Sequence, residues 1–115
     1  MKAGPLLRVS IMTTSSKTVF VSIKDLTEKF STRAMGALVR EKLLLDLSRH
    51  DKVVLDMGDI QMSPSFADEC FGFLIVDLGL DTIRHRLSFV GADRQAKILL
   101  QHVMLRRSSN RSYAA

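Results

Sequence analysis

Apolar positions along this chain follow two different periods. Residues 6–12, LLRVSIM, and 18–23, TVFVSI, are short runs rich in β-branched side chains, separated by TTSSK, a polar stretch suited to a turn. They predict an antiparallel hairpin. KDLTEKF, residues 24–30, is too short and mixed to assign. From Ser31 and Thr32 the pattern becomes helical. STRAMGALVREKLLLDLSRH opens on capping residues, continues with good helix formers and ends in Arg49 and His50, cations that suit a helix C-terminus. Its broad apolar face predicts packing against a sheet.

KVVLDM, residues 52–57, is a short apolar run between two helical patterns, as expected of a central strand covered on at least one face. The next helix is expected over 64–79. Pro64 suits its first position, Phe66, Ala67, Cys70, Phe71, Phe73, Leu74, Ile75, Val76 and Leu78 make it very apolar, and Gly79 is its stop. Phe66, Cys70, Phe71 and Leu74 are expected to share one core with Val54. RLSFVGA, 86–92, reads as another strand, and Asp93 as the cap of a final helix. There, Ala96, Leu99, Leu100, Val103 and Met104 keep the helical spacing.

The predicted order is β β α β α β α: an α/β fold with a mixed β-sheet and its helices mainly on one face. It forms a single domain over residues 1–107, followed by a disordered tail at 108–115. A chain of 115 residues, 46% hydrophobic and 25% charged, fits one ordinary globular core. No apolar run approaches the roughly 18 residues that span a bilayer. The start MKAGPLLRVS has no apolar region followed by a small-residue cleavage site. One cysteine makes no internal disulfide. A cytoplasmic protein without a membrane partner is expected.

The net charge of +5 is unevenly distributed. Residues 1–81 carry ten Lys and Arg against eleven Asp and Glu, whereas 82–115 carry seven against one. Arg84, Arg86, Arg94, Lys97, Arg106 and Arg107 form a candidate basic patch for nucleic acid or an acidic partner. A solvated helix face is the plainer account, because no aromatic side chains are interleaved with these cations.

Catalytic motifs are nearly absent. There is no glycine-rich phosphate loop, His-Glu-x-x-His, Gly-x-Ser-x-Gly or paired Cys-x-x-Cys, so no enzyme and no cofactor is expected. Cys70 lies on an apolar helix face, where an inert packed thiol is the expectation, and His50, His85 and His102 share no metal-ligand spacing. The junction MSPSFADE carries more. Hydroxyls at a helix start meet unpaired N–H groups and the positive end of the helix dipole, so a phosphate there is well accommodated. The same residues also fit plain capping, either by Ser63 or by Ser65 with Asp68 three residues on.

Phe30, Ser31 and Arg33, the strand ending in Leu55 and Asp56, and the run Ser65, Phe66, Ala67, Asp68, Glu69 together resemble the STAS-like domain family of unknown function. These are relatives of the STAS domain of anti-sigma-factor antagonists. The likeness covers about residues 28–105. It implies a STAS-like fold and a regulatory protein-protein interaction module. It also puts Ser65 at the place of the serine that a partner kinase of the histidine-kinase-like ATPase fold phosphorylates in those antagonists. Pro64, Phe66 and Ala67 depart from the antagonists' Asp-Ser-Ser-Gly motif. The interaction surface implied comprises Asp59, Ser63, Asp68 and Glu69 around the switch residue Ser65. The other readings are a nucleic-acid-binding accessory protein using the basic C-terminal third and a structural or assembly subunit.

Overall fold

The computed structural model describes residues 17–114. Three strands, β1 (Thr18–Ser22), β2 (Lys52–Asp56) and β3 (Leu87–Val90), form one sheet in that spatial order, with both neighbouring pairs parallel. The central strand is the expected KVVLD run. The strand expected at 6–12, and with it the antiparallel hairpin and the mixed character of the sheet, lies outside the described residues. α1 (Ile23–Leu26) and α2 (Arg33–Arg49) lead from β1 to β2. α3 is one continuous helix built of Pro64–Ala67, a π-helical turn Asp68–Gly72 and Phe73–Leu78. It is followed by α4 (Leu80–Arg86) before β3 and by α5 (Arg94–Ala114) after it.

Strand register explains which side is covered. Val19, Val53 and Leu87 lie side by side, as do Val21, Leu55 and Phe89, and all six belong to or pack against the core. On the opposite face Phe20, Val54 and Ser88 align, then Ser22, Asp56 and Val90. Among the described residues nothing packs over that face, and Phe20 is 77% exposed. The helices therefore gather on one face. Val54 is corrected by this register: it lies on the face opposite the helices, and its neighbours Val53 and Leu55 join Phe66, Cys70, Phe71 and Leu74 in the core. An apolar pair in a period-2 strand leaves the choice of face to the packing.

α2 sits closely on α3. A side chain at Gly36 would place its first carbon 2.7 Å from the Phe66 carbonyl oxygen and 3.2 Å from the Cys70 nitrogen, both backbone atoms that cannot yield. Gly36, Val39, Leu43 and Leu47 form the buried stripe of α2 at the helical spacing. Thr32 caps that helix by accepting the Met35 N–H at 3.1 Å.

Three features differ from the sequence pattern. α4 occupies residues between the expected helix stop at Gly79 and the next expected strand, where the pattern assigned no element. Gly79, with φ near +89°, ends α3 and starts α4, and Asp81 in its first turn with Arg84, His85 and Arg86 in its last match the helix dipole. The strand expected at 86–92 is shorter, Leu87–Val90. The final helix runs past residue 105, where the pattern expects it to end, as far as Ala114. No glycine or proline interrupts it after Leu105. Among the described residues no helix is long and apolar enough to cross a membrane.

Candidate functional site

The loop from β2 to α3 is held by backbone contacts along its length. The Asp56 carboxylate accepts the Gly58 N–H at 2.9 Å, and the Met57 N–H donates to the Val90 carbonyl at 2.8 Å. The Ser63 N–H donates to the Phe30 carbonyl at 2.9 Å. These bonds deliver Ser63 to the start of α3, where its hydroxyl accepts the Phe66 N–H at 3.0 Å and donates to the Ser31 carbonyl at 3.0 Å. Phe30 meets Phe66 edge to face, ring centroids 5.7 Å apart. The Phe-Ser-x-Arg segment and the Ser-Pro-Ser-Phe-Ala-Asp-Glu segment, more than thirty residues apart, thus form one joint.

Ser63 is the cap, and Ser65 is not. Ser65 is exposed on the first turn of α3, and its hydroxyl makes no hydrogen bond among the described residues. Ser63→Ala should therefore lose about 0.5–2 kcal/mol of stability in urea unfolding, while Ser65→Ala should be nearly silent. Equal losses from the two would show that Ser65 shares the capping.

One turn further, Asp68 and Glu69 enter a cluster of three arginines. Arg107 of α5 grips the Asp68 carboxylate through two nitrogens, Nε at 2.8 Å and Nη2 at 2.6 Å. Arg40 of α2 donates from Nη1 to Glu69 Oε2 at 3.0 Å and to the Glu69 carbonyl. Arg33 of α2 bridges both acids from a single nitrogen, 3.1 Å from Asp68 and 3.2 Å from Glu69. The Arg107 and Arg40 guanidiniums also lie over the Phe73 ring, at 4.2 and 5.4 Å from its centroid. Arg107 foremost, then Arg33, holds the Asp68 carboxyl below its ordinary range against the opposing effect of burial. Arg40 foremost, then Arg33, does the same for Glu69. The π turn lies where these contacts converge. It brings Asp68, Cys70, Phe71 and Gly72 into buried positions.

The anticipated interaction surface is therefore divided. Asp59 and Ser65 are exposed and Ser63 is half-buried, but Asp68 is buried and held by two arginines. A partner has no free carboxylate to grip at Asp68. Glu69 is half-buried and likewise paired. Beside the turn, Ile60, Met62, Pro64, Ala96 and Leu99 help to line a groove of about 360 Å³ between the loop and the first turns of α5.

Among the six candidate basic residues, Arg84, Arg94, Lys97 and Arg106 are exposed. Arg107 belongs to the cluster just described. Arg86 caps the end of α2, with Nη2 donating to the carbonyls of Leu47 and, at 2.7 Å, His50, and Nε to that of Asp51 at 3.1 Å. These bonds satisfy carbonyls that a helix C-terminus leaves without partners.

Arg40 and Phe73 are site residues that the sequence pattern did not single out. The signal was present, since Arg33, Gly36 and Arg40 recur at the spacing of one helix face, and an Asp-Glu pair inside so apolar a helix requires cations from elsewhere. Cys70 is fully buried, and burial pushes its thiol far up, away from the thiolate form. His50, just past the end of α2, and His85 of α4 each place Nδ1 on the carbonyl four residues earlier, those of Asp46 and Asp81. Among the described residues no three His, Cys, Asp or Glu side chains converge as a metal site.

No curated protein matches the chain, and no solved structure does. The family model described as the STAS-like domain of unknown function (DUF4325) matches residues 35–97, which takes in β2, β3, the helices between them and the whole Ser65–Glu69 turn. With a parallel sheet carrying its helices on one face and a match over more than half its length, the chain belongs to the STAS-like domain family.

Proposed function

We propose that this protein is a non-enzymatic, cytoplasmic regulatory module of the anti-sigma-factor-antagonist kind. It docks on a protein partner through the loop and helix start around residues 58–71 and is switched at Ser65. The partner is a kinase of the histidine-kinase-like ATPase fold, which supplies ATP. In the switching step the Ser65 oxygen attacks the γ-phosphorus. An O–P bond forms as the bond to the ADP oxygen breaks, and the serine proton passes to a base on the kinase.

The observation that carries this reading is the division of labour between two serines: Ser63 holds the helix cap while the Ser65 hydroxyl stands exposed one turn position away. A group with no structural duty can be modified without unfolding the domain. Membership of the STAS-like family supports the same reading. Phosphorylation would add about −1.5 to −2 charge to the docking surface, enough to repel an acidic partner or reorder the loop. The nucleic-acid alternative is less well supported, because Arg86 and Arg107 of its six cations are engaged internally.

Incubating the full chain with a candidate kinase and ATP should add one phosphate to the intact mass, mapped to Ser65 and absent from Ser65→Ala. Ser65→Asp should weaken partner binding while leaving the fold intact, since a carboxylate at a helix N-terminus is tolerated. Undiminished partner affinity in Ser65→Asp, with no added phosphate, would sink the switch.

A further inference from the structure

Arg33 differs from the other two arginines of the cluster. Its side chain is 53% exposed, against 21% for Arg107 and 18% for Arg40. It reaches Asp68 and Glu69 through one nitrogen, and neither acid depends on it alone. Asp68 keeps the two-nitrogen grip of Arg107 if Arg33 leaves, and Glu69 keeps Arg40. Removing Arg33 therefore leaves no buried carboxylate without a cation.

Helical spacing puts Ser65 on the same face of α3 as Asp68 and Glu69, the two acids that Arg33 contacts. Residues three and four apart are neighbours on a helix surface, so Ser65 stands next to Asp68 and Glu69. The turn between them is regular, with the Asp68 N–H bonded to the carbonyls of Pro64 and Ser65. A phosphate on Ser65 would place up to two further negative charges beside two carboxylates. The Phe66 N–H is already taken by Ser63 and offers that phosphate no relief. An arginine fork matches a phosphate better than it matches two carboxylates shared through one nitrogen.

We propose that Arg33 is the side chain that receives a phosphate on Ser65, leaving Asp68 and Glu69 to Arg107 and Arg40. The inference rests on the reading of Ser65 as a modified serine and adds how the modification is transmitted. Arg33 is the first residue of α2, directly after the Phe30–Thr32 segment that Ser63 also ties to α3. Its transfer changes the charge and contacts of the α2–α3 joint, while the core stripe of α2 below it stays packed. Modification would thus be read as a local rearrangement at the docking surface without unfolding.

The test installs phosphoserine at position 65 of the full chain during translation, so no kinase is needed, and follows the phosphate by ³¹P NMR across pH. In the folded protein the phosphate should titrate about half a pH unit or more below the same phosphate in the urea-unfolded chain. Arg33→Gln should abolish most of that difference, and Arg33→Lys should retain part of it. Coincident folded and unfolded curves would overturn the proposal, as would an undiminished shift in Arg33→Gln. Should Arg33→Gln fail to fold, the folded-against-unfolded comparison and Arg33→Lys decide. A negative result here leaves the kinase assay standing, and a negative kinase assay leaves this titration interpretable.

Discussion

Phe71→Ala should lose about 3–5 kcal/mol of folding stability, the largest effect of any substitution considered for this domain. Phe71 is 1% exposed and lies on the π turn of α3, pointing at the sheet, where it meets Phe89 of β3 edge to face with centroids 5.3 Å apart. The ring pair itself is worth only about 0.5–1.5 kcal/mol. Most of the loss comes from the burial energy that the missing ring no longer contributes on folding and from a cavity that the surroundings cannot close. On one side is a strand fixed by the β2–β3 ladder, and on the other a helix held against α2 and α5. Urea unfolding followed by far-UV circular dichroism measures the change. A fall in midpoint with an unchanged slope is expected. A near-neutral result would mean that α3 presents a different face to the sheet.

Asp68→Ala should cost about 3 kcal/mol, the lower end of what is seen when one partner of a buried ion pair is removed. The lower end applies because the arginines around Asp68 keep part of their side chains in solvent, and Arg107 retains its contact with the Phe73 ring. The same cluster makes the fold acid-sensitive in one direction. Asp68 and Glu69 both have folded-state pKa values below their unfolded ones. The unfolded chain therefore takes up protons first as pH falls, and stability declines with it. The contribution is complete above the ordinary carboxylate range near about pH 4 and is lost as pH falls from there through the depressed folded values. In Asp68→Ala the decline between about pH 5 and 2 should be shallower than in the parent protein. Parallel stability curves for the two proteins over that range would show that Asp68 carries none of the acid sensitivity.

These two substitutions test parts of the molecule that differ in how far the chain pattern discloses them. The apolar face of α3 is visible as a run of Phe, Cys, Leu and Ile at helical spacing, and Phe71 is a core residue on either reading. The role of Asp68 is not visible in the same way. Its position after Ser-Phe-Ala makes it look like a first-turn acid available to solvent or to a partner. Its actual partners are 35 and 39 residues distant in the chain. Arg86 and Arg107 are similar, since a row of cations in a basic third of a chain looks like a surface. Two of them nevertheless point inward to carbonyls and a carboxylate.

Local signals were enough for β2, for α2 with its Thr32 cap, for the start of α3 at Ser63 and Pro64, for β3, and for α5 after Asp93, whose carboxylate accepts the Ala96 N–H at 2.8 Å. Each depends on residues within four or five positions of one another, so backbone propensity and a nearby hydrogen bond settle it. Whether Ser63 or Ser65 was the cap stayed open locally, because either hydroxyl can reach an amide of the first turn. The approach of the Phe30–Arg33 segment decided it by holding Ser63 in place from behind. The face taken by Val54 and the fate of the acids on α3 were likewise decided by tertiary structure. In both cases the energy of a choice comes from partners that become neighbours only after the helices have closed on the sheet.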